Sequence, residues 1–235
     1  MNALRIIEKE KKMKKTINCL LSLLVLLSIC GCQNKTEKEE TEVHEEENVE
    51  TAPQESETEA ADGQSLVVYF SRTGEQYTVG VIDEGNTAIV AKMIAEHTGG
   101  DLYEILPEED YYPYTYNELT DVAKKEQNEN ERPAYQKKDI DLSAYDTVFI
   151  GAPVWWGDWP MIMYTFFENE DLSSKTLVPF STHEGSGLSG FDKKLASAIP
   201  SAEILEGLAI RGNDAQNKKD EVKDKVDNWL NKLGY

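Results

Sequence analysis

Cysteine disappears from this sequence after residue 32. Of 235 residues only Cys19, Cys30 and Cys32 carry a thiol. The 203 residues that follow can form no disulfide, offer no thiol nucleophile and ligate no metal through cysteine; no metal site is expected. A long hydrophobic run is also missing. The most apolar stretch, Ile17–Ile29, is about a dozen residues long, short of the roughly 20 that span a bilayer. Positive charge is the third shortage, with 24 Lys and Arg against 44 Asp and Glu and a formal charge of −20. A chain this acidic repels nucleic acid phosphates, so a small ligand or a basic protein is the better-matched partner. There is no internal repeat.

What stands at the front of the chain is an export pattern. The basic run Lys9–Lys15 precedes the apolar stretch, and a small residue, Gly31, precedes Cys32. This resembles a bacterial lipoprotein signal, which implies cleavage before Cys32 and lipidation of that cysteine. Met13-Lys14-Lys15 begins a complete signal by itself, so translation from either Met1 or Met13 is compatible with it. Residues 32–64 follow, and Gln33–Gln64 holds twelve acidic residues against two lysines, with almost nothing large and apolar. Such a composition cannot offset the entropy of ordering and reads as a disordered tether, with a random-coil reach of about 30 Å. The expected location is a cell membrane, reached only through the lipid anchor and facing outside the cytoplasm.

Residues 65–235 form a domain of ordinary size. Leu66–Phe70, Thr147–Ile150 and Leu177–Phe180 are short apolar runs without polar alternation, as in strands buried on both faces. Pro179 is awkward within the third of these. Leu102–Leu106 and Ile204–Ile210 are weaker strand candidates. Helical patterns fill the spaces between. Asn86 can cap a helix with the apolar face Ile89, Val90, Met93 and Ile94, stopped by Gly99-Gly100. Tyr116–Asn128, Trp159–Glu168, Phe191–Ile199 and Lys219–Leu233 supply the others. Strands alternating with helices predict an α/β fold, a parallel sheet covered on both faces. Ligands of such sheets bind at the carboxyl ends of the strands.

Three loops at those ends are unusual. The first, Ser71-Arg72-Thr73-Gly74, is separated by eleven residues, Glu75–Gly85, from Asn86-Thr87 at a helix start. A helix N-terminus offers N–H groups and a partial positive charge to a phosphate, and the hydroxyls, the Asn86 amide and Arg72 add donors. Two rival phosphate patterns fail on chemistry. Gly80–Thr87 has the glycine spacing of an NTP-binding loop, but Asn86 replaces the lysine and Asp83-Glu84 repel phosphate. Gly185–Gly190 spells G-x-G-x-x-G, but after the fourth strand instead of the first. The second loop, Pro153-Val154-Trp155-Trp156-Gly157, sets adjacent tryptophans in a Gly/Pro turn. That arrangement suits stacking on a flat ring. The third, Ser181-Thr182-His183-Glu184-Gly185-Ser186-Gly187, allows close backbone approach to a ring edge. His183 is the catalytic candidate; His97 is expected at the surface.

The stretches VVYFSRTGE…GNT, EIL…YP, FIGAPVWWGDWP and FSTHEGSG resemble the flavodoxins, in a branch with an enlarged first loop and a double tryptophan in the third. The resemblance implies a flavodoxin-like three-layer, doubly wound, five-stranded parallel sheet of order 2-1-3-4-5. It implies FMN as the cofactor, its phosphate at Ser71, Thr73, Asn86 and Thr87, and its ring between Pro153–Gly157 and Ser181–Gly187. The insertion after Gly74 departs from the family and reads as a surface loop let into one phosphate site. The long flavodoxin insertion in the fifth strand is not evident. No D-x-x-T-G-A-type stretch for covalent attachment is present, so binding is expected to be non-covalent.

FMN implies redox work, as an electron carrier or as a quinone- or NAD(P)H-linked oxidoreductase. The redox partner is then a protein or a quinone. Tyr111, Tyr112, Tyr114 and Tyr116 could roof the ring or pack beneath the third strand. Electron-rich tryptophans within an acidic domain disfavour added negative charge on a flavin and lower its potential. Two other readings remain at this point: a flavin- or nucleotide-binding lipoprotein without turnover, and a module used for protein contacts only.

Overall fold

The computed structural model describes residues 64–109 and 111–235. The expected signal, Cys32 and the tether up to Gly63 lie outside the described residues. Five apolar segments form parallel strands: β1 (Ser65–Phe70), then, after the hairpin β2 (Gly74–Gln76) and β3 (Gly80–Ile82), β4 (Asp101–Ile105), β5 (Thr147–Pro153), β6 (Thr176–His183) and a broken last strand, β7 (Glu203–Ile204) with β8 (Leu208–Arg211). The helices between them are α1 (Asn86–Thr98), α2 (Tyr116–Glu129), α3 (Met161–Asn169), α4 (Phe191–Ala198), α5 (Gly212–Asn217) and α6 (Lys219–Leu233). The sheet runs β4-β1-β5-β6-β7, with β8 also paired to β6. That is the 2-1-3-4-5 order once the hairpin is set aside. No helix among the described residues is long and apolar enough to cross a membrane.

Alternation along the strands divides the core in two. Leu66, Val68 and Phe70 of β1 join Val148, Ile150 and Ala152 of β5 under α3 and α4, through Ile162, Phe166, Phe191 and Leu195. Val67 and Tyr69 face the other way with Phe149 and Phe180, under α1 and α6, through Val90, Ile94, Val226 and Trp229. Each large side chain buried this way contributes about 1.5–3 kcal/mol. Helix ends follow the glycines: α1 stops where Gly99 takes φ 66°, and α6 where Gly234 takes φ 93°.

Two expectations change in detail. The Ile204–Ile210 strand is broken, and Pro179 is the reason. Leu177 O accepts from the Leu205 N–H at 3.0 Å, so by alternation Pro179 also points its carbonyl and its missing N–H at the last strand. Pairing stops at Leu177↔Ile204 and resumes at Phe180↔Leu208, with Gly207 pressed against Pro179. His97, expected at the surface, is half-buried between α1 and α6. Its Nδ1 lies 2.9 Å from Asp227 Oδ1 and its Nε2 3.2 Å from Tyr235 O.

Candidate functional site

The carboxyl ends of β1, β5 and β6 are adjacent in the sheet, so the three unusual loops emerge side by side. The loop after β1 is tied to the start of α1. Ser71 Oγ accepts from the Ala88 N–H at 3.1 Å, and Ile89 N donates to Gly85 O at 3.2 Å. These contacts satisfy the third and fourth N–H groups of the helix and leave those of Asn86 and Thr87 as its open end. The loop after β1 and the residue before α1 approach closely here. A Cβ on Gly85 would stand 2.1 Å from Ser71 Oγ and 2.7 Å from Arg72 O. Gly85, not Asn86, is the N-cap position. The Asn86 side chain instead accepts from Gln216 Nε2 at 2.8 Å, which turns its amide nitrogen into the free donor.

The eleven inserted residues are ordered as the β2–β3 hairpin, not as an irregular loop. Arg72 clamps it: the guanidinium donates to Glu75 O and Tyr114 O, each at 2.9 Å, and to Pro113 O. Glu75 N donates to Tyr114 O at 3.0 Å, and Glu75 Oε2 accepts from Tyr116 N at 2.8 Å. Tyr77 at the hairpin end stacks on Tyr116 with centroids 5.5 Å apart.

Residues 155–158 make a tight reversal. Trp155 and Asp158 exchange both backbone hydrogen bonds at 3.0 Å, while Trp156 and Gly157 take φ 51° and 75°. This is a hairpin turn of the primed kind, which needs positive φ at both central positions. It separates the two tryptophans. Trp155 turns inward, edge-on to Phe70 at 5.4 Å and to Tyr112 at 5.1 Å. Trp156 turns outward, 54% exposed. Its Nε1 donates to Thr120 O at 3.0 Å, and Lys124 Nζ lies 4.9 Å above its ring. Lys194 braces the turn from α4, donating to Gly157 O and pairing with Asp158 at 3.3 Å. The nearby Trp159 belongs to the core, stacked on Phe191 at 3.6 Å.

The loop after β6 is held from below. Thr182 Oγ1 lies 2.7 Å from Thr87 Oγ1 in a buried pair, and Ser181 Oγ donates to Gly187 O at 3.1 Å. His183 Nδ1 accepts from the Gly185 N–H at 2.9 Å, which assigns the neutral ring's proton to Nε2. Burial lowers the His183 pKa, against Glu184, which raises it, so the neutral ring prevails at pH 7. Glu184 Oε1 accepts from Asn213 N at 2.7 Å, fixing the loop to α5.

Together these parts enclose a cleft of about 540 Å³. Of the residues expected at the site, Asn86, Pro153, Val154, Trp155, Trp156, Thr182, His183 and Gly185 line it. Ser71, Thr87 and Ser181 stand behind the lining and hold it in place through the contacts above. Gly157 and Gly187 lie within the two loops. Arg72 and Gly74 serve the hairpin: a Cβ on Gly74 would meet Tyr114 O at 2.9 Å. Thr73 is exposed, its carbonyl accepting from Gln76 Nε2 at 3.3 Å.

The family model described as Flavodoxin matches residues 64–233. The chain belongs to the flavodoxin family. Among solved structures it is similar to a candidate flavoprotein from Bacteroides uniformis, 31% identical, with 72% of this chain and 98% of that one covered and a TM-score of 0.56. A candidate flavoprotein from Bacteroides eggerthii is likewise 31% identical, over 71% and 97% of the two chains, at 0.56. A flavoprotein from Lactobacillus acidophilus in complex with FMN shares the fold at 20% identity, over 67% and 99%, at 0.52. No curated protein matches the sequence.

Within this flavodoxin fold the site also has walls that were not anticipated. Gln76 and Tyr77 come from the hairpin and Leu119, Thr120 and Ala123 from α2, whereas Tyr116, one of the tyrosines weighed as a roof, and Glu184 and Ser186 of the expected Ser181–Gly187 loop also line the cleft. The signal for the α2 wall lies in the sequence: Tyr116, Leu119, Thr120 and Ala123 fall at helical spacing on one face. Nothing in sequence alone told whether that face meets the sheet or a ligand.

Proposed function

We propose that residues 65–235 bind FMN non-covalently in this cleft and use it for electron transfer or flavin-dependent reduction. The observation that carries the reading is convergence. A helix N-terminus, an aromatic turn and a glycine-rich loop meet on one cleft, whose volume falls in the usual range for small-molecule sites. The residues present fit the group. The open α1 end and the Asn86 amide suit a phosphate held by neutral donors, with the loop after β1 packed against Gly85 to hold them in place. Trp155 and Trp156 suit a flat ring, and the neutral His183 offers an Nε2–H to a ring-edge acceptor. Bound FMN would supply one- or two-electron chemistry; the chain's part is to bind, orient and set the charge around it. We further infer export and membrane tethering through Cys32, which rests on the signal-like pattern before it and the acidic stretch after it.

The deciding experiment titrates FMN into residues 64–235 and follows flavin and tryptophan fluorescence. Saturable mutual quenching in the parent and its loss in Trp155→Ala/Trp156→Ala is the expected result. No binding at micromolar FMN overturns the reading. Tight binding without reduction of any quinone or NAD(P)H-linked turnover favours the carrier or binding-module form. In cells, Cys32→Ser should move the full chain from the membrane fraction to the soluble one.

A further inference from the structure

Helix α2 continues past the cleft. Ala123 lines it, and one turn later Glu126 points inward, 1% exposed. Glu126 Oε1 is the buried side-chain oxygen without a hydrogen-bond partner among the described residues. Its Oε2 has a single long contact, accepting from the Tyr112 hydroxyl at 3.5 Å. A buried carboxyl oxygen left unpaired is costly to ionise and is rarely kept without a use. Tyr112 connects it to the site. Its ring packs edge-on against Trp155 at 5.1 Å, and Trp155 forms the cleft wall. Glu126 thus stands one residue, Tyr112, behind the Trp155 wall against which the proposed flavin would lie.

We propose that Glu126 is the proton-binding residue of this site, taking up a proton when FMN enters the cleft. The inference rests on the FMN reading. Two physical effects give its sign. A ligand in the cleft displaces water from the Leu119–Ala123 face and lowers the local dielectric, and it brings a phosphate with negative charge. Both disfavour the ionised carboxylate and favour the acid. By linkage, protonation of Glu126 tightens FMN binding by the same factor.

The groups facing Glu126 leave it poised for this exchange. Burial first, and nearby Glu131 with it, raise its pKa to about 7 against the opposing hydroxyls of Tyr111 and Tyr112 and the Lys125 ammonium. Lys125 is itself engaged by Glu131 at 2.7 Å, which blunts its effect on Glu126. A folded pKa raised this way makes the native state hold the proton between the ordinary glutamate value and about 7, so its stability declines as pH rises across that window. Glu126→Gln mimics the protonated form at the same shape. It should fold with a urea midpoint no lower than the parent's at pH 8.

The test is isothermal titration of FMN into the apo protein at pH 7, in PIPES and in Tris, two phosphate-free buffers of different ionisation enthalpy. The parent should show different apparent enthalpies, corresponding to uptake of a fraction of one proton, and its affinity should weaken several-fold from pH 6 to pH 8. Glu126→Gln should bind with buffer-independent enthalpy and a flat profile. Proton uptake that survives in Glu126→Gln but vanishes in His183→Gln assigns the proton to His183 and overturns the proposal. Buffer-independent binding in the parent overturns it as well. Absence of any FMN binding overturns the flavin reading itself, and this inference with it.

Discussion

Trp156 sits at φ 51°, where a bulky L side chain crowds its own carbonyl at a cost of roughly 1–2 kcal/mol. The gain is direction: in this conformation the ring leaves the core, docks its Nε1 on α2 and stands across the cleft mouth. Gly85 shows the opposite economy of space, since its φ of −68° is open to any residue and only the missing Cβ matters. Alanine there would push a methyl group into Ser71 Oγ and into the Arg72 backbone, at 2.1 and 2.7 Å. We expect Gly85→Ala to lose about 1–3 kcal/mol of stability by overpacking and to weaken FMN binding at least tenfold. Urea denaturation and an FMN titration check the two separately. Unchanged values in both would mean that the close approach of β1 to α1 is not required for the site.

At the scale of elements, the insertion is what distinguishes this site. The hairpin carries Gln76 and Tyr77 to the cleft, and Arg72 secures it to the segment before α2 by hydrogen bonds to three carbonyls. Charged hydrogen bonds of this kind contribute about 1.5–3 kcal/mol each when one partner is lost in a buried setting, less here because the guanidinium is partly exposed. Arg72→Ala should therefore loosen the hairpin without unfolding the sheet. The expected signs are faster proteolytic cutting between residues 74 and 84 and an FMN dissociation rate raised about tenfold in stopped flow, with the association rate little changed. Equal cutting and release rates would show that the Glu75–Tyr114 and Glu75–Tyr116 contacts suffice. The strands and helix slots were legible in the sequence because burial on both faces and helical spacing are local patterns, while the order of the strands came only from the flavodoxin resemblance. The hairpin was not, because Glu75–Ile82 carries little apolar alternation and draws its order from Tyr114 and Tyr116, some forty residues on. The contacts of Arg72 with the hairpin were hidden for the same reason. A strand-end arginine beside a phosphate-type turn suggests charge for the ligand, and only the fold brings Pro113 and Tyr114 to its guanidinium. The two tryptophans were legible as a pair, but their division into a partly buried, inward ring and an exposed one follows from the turn geometry of residues 155–158.

The whole molecule sets the electrostatic environment in which the cleft works. Its formal charge of −20 is spread over a chain with pI near 4.5. The lining contains no lysine or arginine, His183 is held neutral by burial, and Glu184 carries the carboxylate nearest the loop. Electrons added to a flavin here meet a lining without a cation inside an acidic molecule, although Lys124 over Trp156 and Arg211 paired with Glu184 offset part of that charge. At an effective dielectric of about 20, a unit charge roughly 8 Å away acts with about 2 kcal/mol, or on the order of 40 mV for a two-electron couple. The midpoint of the bound flavin should therefore lie below that of free FMN by at least tens of millivolts. Salt separates the contributions. Ions screen the distant surface carboxylates but not Glu184, which is hydrogen-bonded against α5. The midpoint should thus rise toward that of free FMN between low and high ionic strength, yet stay below it. A spectroelectrochemical titration at both salt concentrations checks this. A midpoint above that of free FMN would mean that the positive end of α1 outweighs the acidic surface. A low midpoint indifferent to salt would place its cause within the cleft, at Glu184 and the tryptophans.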